Sequence, residues 1–107
     1  MFARRVTMKL KPNCVPELTR TVEHDVIPLL RKQTGFKDEL TFVATGGMEA
    51  VAISLWDRRE SAEAYNNGQY AEVVKLLETI VDGTPDVQSG EVSNSTIHTI
   101  PATPAAR

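Results

Sequence analysis

The adjacent glycines Gly46-Gly47 constrain this chain most, because they separate two segments that both alternate with period two. From Glu39 to Thr45, Leu40, Phe42 and Ala44 share one face. From Glu49 to Trp56, the bulky Val51, Ile53 and Leu55 alternate with Ala50, Ala52, Ser54 and Trp56. Alternation of this kind marks half-buried strands, and two glycines accept the positive φ values of a tight hairpin. An antiparallel hairpin is therefore predicted at the centre of the chain, and the segments on either side have to complete its sheet and cover it.

Arg4 to Lys11 forms a further alternating segment, with Val6, Met8 and Leu10 on one side and Arg5, Thr7, Lys9 and Lys11 on the other. Pro12-Asn13 ends it. From about Pro16 the apolar residues Leu18, Val22, Val26, Leu29 and Leu30 recur at helical spacing up to Arg31-Lys32, and Thr34-Gly35 supplies an αL stop. Pro28 lies inside this helix, where it removes the hydrogen bond to the His24 carbonyl and predicts a kink. After the hairpin, Asp57-Arg58-Arg59-Glu60 has capping-box chemistry and opens a second helix. Asn66-Asn67-Gly68 interrupts that helix, and Tyr70, Val73, Val74, Leu77, Ile80 and Val81 rebuild its stripe. A fourth strand is predicted from near Val87 towards Ile97, with a bulge at Gly90. Residues 1–100 thus read as one domain. Residues 101–107, rich in Pro and Ala with little to bury, are expected to be a mobile tail.

The order βαββαβ is that of the α+β ferredoxin-like fold: a four-stranded antiparallel sheet with two helices on one face. The helices are expected on the face bearing Val6, Phe42, Val51 and Ile53. The other face would carry the small residues Ala50, Ala52 and Ser54 beside Thr41, Val43, Arg5, Thr7 and Lys9. That face is too apolar in its middle for solvent, so a homodimer packed through it is expected.

Composition removes several functions. A net charge of −2, with no basic run longer than a pair, argues against a nucleic-acid partner. No apolar run approaches the roughly 18 residues of a membrane span. Met1-Phe2-Ala3-Arg4-Arg5 leads straight into alternating sequence, and Cys14 is the only cysteine; both set the expectation of a cytoplasmic location, without an internal disulfide or zinc site. The chain contains no G-x-S-x-G, phosphate loop, dinucleotide fingerprint or H-E-x-x-H.

Three stretches carry a family resemblance: Val26-Ile27-Pro28-Leu29-Leu30 leading into Gln33-Thr34-Gly35-Phe36, Ile53-Ser54-Leu55-Trp56-Asp57, and Ser61-Ala62-Glu63-Ala64-Tyr65. From Phe2 to about Ile100 the sequence resembles the antibiotic biosynthesis monooxygenase family of the dimeric α/β-barrel superfamily. The resemblance implies a dimer whose two sheets close a barrel, with a ligand cavity in each subunit between sheet and helices. It also accounts for Pro28, which is common in that family. The haem-degrading members need an asparagine on the first strand and an axial histidine on the second helix. Here the matching stretches are Ala3-Arg4-Arg5-Val6 and Val73-Val74-Lys75-Leu76, and Tyr65 stands where those members have tryptophan.

What the resemblance then implies is the polyketide-oxidising chemistry: a monooxygenase without cofactor or metal, acting on a hydroxylated aromatic or quinol-type molecule. The alternative is a non-catalytic small-molecule-binding or stress-related dimer, since no acid, base or nucleophile is compelled by a motif. The candidate substrate-binding residues are Trp56, Tyr65, Tyr70 and Arg5. Three of them have a competing reading: Trp56 as filler of the barrel end or dimer seam, Tyr65 as packing only, and Tyr70 as core. His24 reads as a solvated helix residue, His98 as a strand residue without metal partners, and Cys14 as an inert loop thiol.

Overall fold

In the computed structural model, which describes residues 1–100, the sheet is built from β1 (Phe2–Leu10), β2 (Phe36–Val43), β3 (Glu49–Trp56) and β4 (Val81–Glu91) in the order β2-β3-β1-β4, all neighbours antiparallel. The helical segments are α1 (Val15–Thr21), a π-helical turn (Val22–Val26), α2 (Ile27–Arg31), α3 (Arg59–Asn66) and α4 (Tyr70–Leu77). One core joins Phe2, Val6, Met8 and Leu10 of β1 to Leu18, Val22, Val26 and Leu30 of the first helix and to Ala62, Tyr65, Val73 and Leu77 of the second pair. The helices therefore cover one face of the sheet, as the ferredoxin-like order requires. No helix among the described residues is long and apolar enough to cross a membrane.

The first helix is continuous from Val15 to Arg31 because Pro28 is absorbed by the π turn. The Ile27 amide donates to the Val22 carbonyl, one residue wider than an α turn. The buried residues Leu18, Val22, Val26 and Leu30 are spaced by four throughout, a spacing that drifts about 40° per step around an α-helix. The wider turn takes up that drift and keeps all four side chains on the sheet.

The expected assignment of sheet faces is corrected by the strand register. Val6 of β1 lies opposite Ala52 of β3, and Ala52 lies opposite Thr41 of β2. Ala50, Ala52, Ser54 and Trp56 thus face the helices, while Val51, Ile53 and Leu55 face away, together with Leu40, which is 61% exposed, and Phe42, which is 49% exposed. Alternation defines two faces but does not say which one the helices take, and here the bulkier set points outward. The small residues placed at the partner face by sequence instead line the interior.

Two further corrections concern the ends of elements. β4 begins at Val81, not near Val87, and ends at Glu91; its irregularity falls opposite Thr7 to Lys9 and leaves Gly90 in register with Ala3. Gly83, with φ +80°, and Pro85 lie within the irregular stretch, which reads in sequence as a helix stop and a turn. The capping box does not form either: α3 starts at Arg59 without a side-chain cap. Asp57 instead sits beside the Ser61 hydroxyl, which with lesser help from Arg58 and Lys37 holds its carboxyl below the ordinary value. The Asp57 amide donates to the Gly35 carbonyl at 2.8 Å, and a Cβ at Gly35, whose φ is +80°, would overlap Asp57 Oδ1 and Ser61 Oγ. Beyond β4, His98 Nε2 pairs with Asp38 of β2. The expected mobile tail at 101–107 lies outside the described residues.

Candidate functional site

The helix-facing side of the sheet is laid out in rows. Phe2, Trp56 and Phe36 form one row; Arg4, Ser54 and Glu39 form the next; Val6, Ala52 and Thr41 the third. The second row is polar although it lies under the helices. Below it the floor is made of small and apolar side chains, and the helices arch over it with Val22, Val26 and Leu30 on one side and Tyr65, Tyr70, Val73 and Leu77 on the other. Between floor and roof lies a cavity of about 380 Å³, lined on its polar side by Arg4, Ser54, Glu39 and Thr41 and at its far end by Lys11, Glu78 and Asp82. Its volume falls in the range of small-molecule sites, and its mix of apolar walls with a few converging polar groups is typical of them.

Arg4 dominates this site. Its side chain follows Phe2, Val6, Met8 and Leu10 onto the helix face, where it is only 4% exposed. The guanidinium lies 4.0 Å from the Tyr70 ring centre and 5.3 Å from that of Tyr65, and Nη2 donates to Asn66 Oδ1 at 2.7 Å. Asn66 ends α3, so the break between α3 and α4 is what brings an acceptor to Arg4. Among the described residues no carboxylate pairs with this cation. The aromatic faces stabilise the buried charge in part, and no ion pair neutralises it although Glu39 lines the same cavity.

Glu39 closes the same row from β2. It is half-buried and lines the cavity, and Thr41 Oγ1 donates to its Oε2. Burial raises the pKa of its carboxyl above the ordinary value, and the Thr41 hydrogen bond offsets part of that effect. Tyr65 is likewise affected: burial pushes its hydroxyl up to about 12, with Arg4 pulling it down and Tyr70 and Glu39 pushing it up. Arg4, Tyr70 and Glu39 thus all act electrostatically on Tyr65 within one pocket.

Of the residues nominated from sequence, Tyr65 and Tyr70 line the cavity. Trp56 does not line it. It is wholly buried behind Tyr65, stacked at 5.1 Å between ring centres, and its indole N–H donates to Ser54 Oγ at 2.9 Å. Its N–H is thus spent inside the protein, and it supports the wall from behind. Arg5 is on the opposite face, exposed, and bonded to Gln88 Oε1 of β4. The arginine that lines the cavity is its neighbour Arg4, and strand parity alone would have placed it there, since Arg4 shares the even positions with Val6, Met8 and Leu10. Glu39 had no such signal, because its placement depends on which face of β2 the helices cover.

No histidine is among the residues lining the cavity: His24 is exposed on the π turn and His98 is held by Asp38. The helix that faces the cavity presents Val73, Val74 and Leu77, so these residues do not fit a haem whose iron needs an imidazole. Among the described residues no three His, Cys, Asp or Glu side chains cluster.

No protein-family model matches the sequence, and no curated protein does. Solved structures do match in fold. A monooxygenase, ActVA-Orf6 of Streptomyces coelicolor, determined with the ligand nanaomycin D, is similar over 94% of this chain and 92% of its own, with a TM-score of 0.74 and 18% identity. NE2512 of Nitrosomonas europaea, a protein of unknown function, is similar over 95% of both chains with a TM-score of 0.73 and 18% identity. A MhuD variant with two manganese protoporphyrin IX molecules bound per active site is similar over 90% of this chain and 98% of its own, with a TM-score of 0.72 and 15% identity. This chain therefore has the ferredoxin-like α+β fold of the antibiotic biosynthesis monooxygenase structures, over nearly its whole length.

Proposed function

We propose that this protein is a small monooxygenase that oxidises a hydroxylated aromatic or quinol-type molecule without a bound cofactor. The observation that carries this reading is the buried Arg4 guanidinium at the polar side of an otherwise largely apolar cavity. Such a cation favours the ionised form of a phenol or enol over its neutral form, because charge is poorly screened there. The apolar walls from Val6, Val22, Val26 and Val73 suit the ring system, and the 380 Å³ volume suits a molecule of a few fused rings. The fold it shares with a monooxygenase determined with nanaomycin D supports an aromatic ligand.

In this reaction an anthrone-like substrate loses a proton, and its anion, held at Arg4, gives electrons to dioxygen. One oxygen atom becomes a new carbonyl where a methylene stood, and the other leaves as water with the two hydrogens of that methylene. The substrate supplies every electron the reaction needs, so no flavin, haem, metal or external reductant is invoked. Arg4 contributes by holding the anion, and the apolar walls exclude water from it.

The working form we propose is a cytoplasmic homodimer joined through the open sheet face. Leu40 and Phe42 adjoin the half-buried Val51, Ile53 and Leu55 there, a contiguous apolar surface that a two-fold axis pairs with itself. A second reading, a ligand-binding dimer without catalysis, is favoured by one observation: the Trp56 N–H is committed to Ser54 and not to the cavity.

Oxygen uptake with a panel of phenols and anthrones tests the two. Uptake equal to the substrate oxidised, unchanged by chelator, supports the oxygenase. Binding that quenches tyrosine or tryptophan fluorescence, with no uptake from any compound in the panel, selects the binding protein.

A further inference from the structure

We infer that Glu39 is the general base of this site, taking the proton from the substrate while Arg4 receives the negative charge that the proton leaves behind. The inference rests on the reading of the cavity as a site for hydroxylated aromatics or their keto tautomers, and adds the residue that starts the chemistry.

Four observations converge on it. Glu39 and Arg4 stand opposite the same residue, Ser54, from its two sides, so they are two strand spacings apart, about 10 Å between backbones. Both line the cavity, and no ion pair joins them, so a substrate oxygen near Arg4 and an acidic hydrogen near Glu39 fit between the two side chains. Among the described residues Glu39 is also the only carboxylate on the wall that Arg4, Tyr65 and Tyr70 share; the other two acidic residues lining the cavity, Glu78 and Asp82, lie with Lys11 at its far end. Finally, Thr41 fixes Glu39 by donating to Oε2, which leaves Oε1 to accept a proton.

Among the described residues, the charged and titratable groups that line the cavity with Glu39 are Arg4 from β1, Tyr65 from α3 and Tyr70 from α4, with Lys11, Glu78 and Asp82 at the far end; the first helix presents only Val22, Val26 and Leu30 to it. Burial that disfavours its carboxylate makes Glu39 a stronger proton acceptor than a solvated glutamate. In the step itself the C–H bond of a methylene next to the aromatic rings breaks, its electron pair moves into the enolate, and the proton ends on Glu39. No oxidant takes part. The proton is given back when oxygen is reduced to water in the later step.

Because deprotonation precedes oxygen, it is measured without oxygen. Anthrone in deuterated buffer under anaerobic conditions exchanges its methylene hydrogens through the enolate, and the intact protein should accelerate that exchange. Glu39→Gln should lower the accelerated rate by about a hundredfold or more, with anthrone affinity within threefold or so of the parent. Glu39→Asp should restore part of the rate, and should do so if Gln disturbs the fold, since it keeps the carboxylate. Exchange by Glu39→Gln at the parent rate overturns the inference, as does bound anthrone that exchanges no faster than in buffer. Oxygen uptake that persists in Glu39→Gln overturns the inference and leaves the oxygenase reading standing. Glu39-dependent exchange without oxygen uptake supports the inference and overturns the oxygenase reading; failure of anthrone to bind overturns both.

Discussion

Arg4 and Glu39 lie in one row of the sheet with Ser54 between them, a buried cation and a half-buried acid that line the same cavity without forming an ion pair. Two opposite charges in such a place ordinarily pair, since an unpaired buried charge is destabilising. Here Tyr70, Tyr65 and Asn66 engage the guanidinium and Thr41 engages the carboxylate. Each is held by other partners, and the space between them stays open to a ligand. An arrangement kept at such a cost in stability supports the proposed reading of the cavity as a ligand site.

Arg4 should matter for ligand and not for folding. Arg4→Gln is expected to weaken binding of an ionised hydroxyaromatic by about ten- to a hundredfold, the worth of a hydrogen bond to a charged group. Arg4→Met, which removes the buried charge and keeps its volume, should melt at or above the parent temperature. Calorimetric binding and thermal melts check the two halves separately, and a large loss of melting temperature in Arg4→Met refutes the second.

Glu39 should destabilise the protein at neutral pH. Burial raises its pKa above the ordinary 4.5, so the folded chain holds a proton at pH values where the unfolded chain has released it. The stabilisation from that proton is fully present below 4.5 and is lost as pH rises through the folded value. Glu39→Gln should therefore melt higher than the parent at about pH 8 and show little difference at about pH 4. Parallel melting curves at the two pH values decide it.

Tyr65 gives an alkaline signature. Its hydroxyl ionises only at about 12 in the folded chain against an ordinary 10.0, so stability is retained below 10 and falls as pH rises from there towards 12. Absorbance of tyrosinate in the parent should include a late-titrating step that Tyr65→Phe removes. A titration unchanged by that substitution would count against the burial of this ring.

The open sheet face should carry the dimer. Phe42→Arg places a charge among Leu40, Val51 and Ile53 and is expected to give a folded monomer by light scattering, whereas Ala52→Arg, which points into the cavity, should block ligand and leave the dimer mass unchanged. A parent chain that is monomeric at micromolar concentration rejects the dimer.

Gly35→Ala should destabilise the fold well beyond a surface change. The left-handed backbone alone costs about 1–2 kcal/mol for a residue with a Cβ, and overlap with Asp57 and Ser61 adds to it. Denaturant unfolding measures the loss, and a variant as stable as the parent would show that the corner yields freely.

The order of elements was legible in the sequence because each element is written in its own period: two for Val6, Met8 and Leu10, and three to four for Leu18, Val22 and Val26. The glycine pair at 46 and 47 and the break at Asn66-Asn67-Gly68 were legible for the same local reason. Even Arg4 was, since its parity with Val6 places it under the helices, although its neighbour Arg5 is the arginine that the family resemblance nominated. What tertiary structure alone decided was which face of the hairpin the helices cover. Val51, Ile53 and Leu55 are the more hydrophobic set, yet the register of Val6 with Ala52 turns them outward and turns Ser54 and Glu39 inward. Periodicity is a property of one strand, whereas facing is a property of the pairing between strands and of the helices that pack on them. The juxtaposition of Arg4 with Glu39, 35 positions apart in sequence, exists only through that pairing, and so does the site.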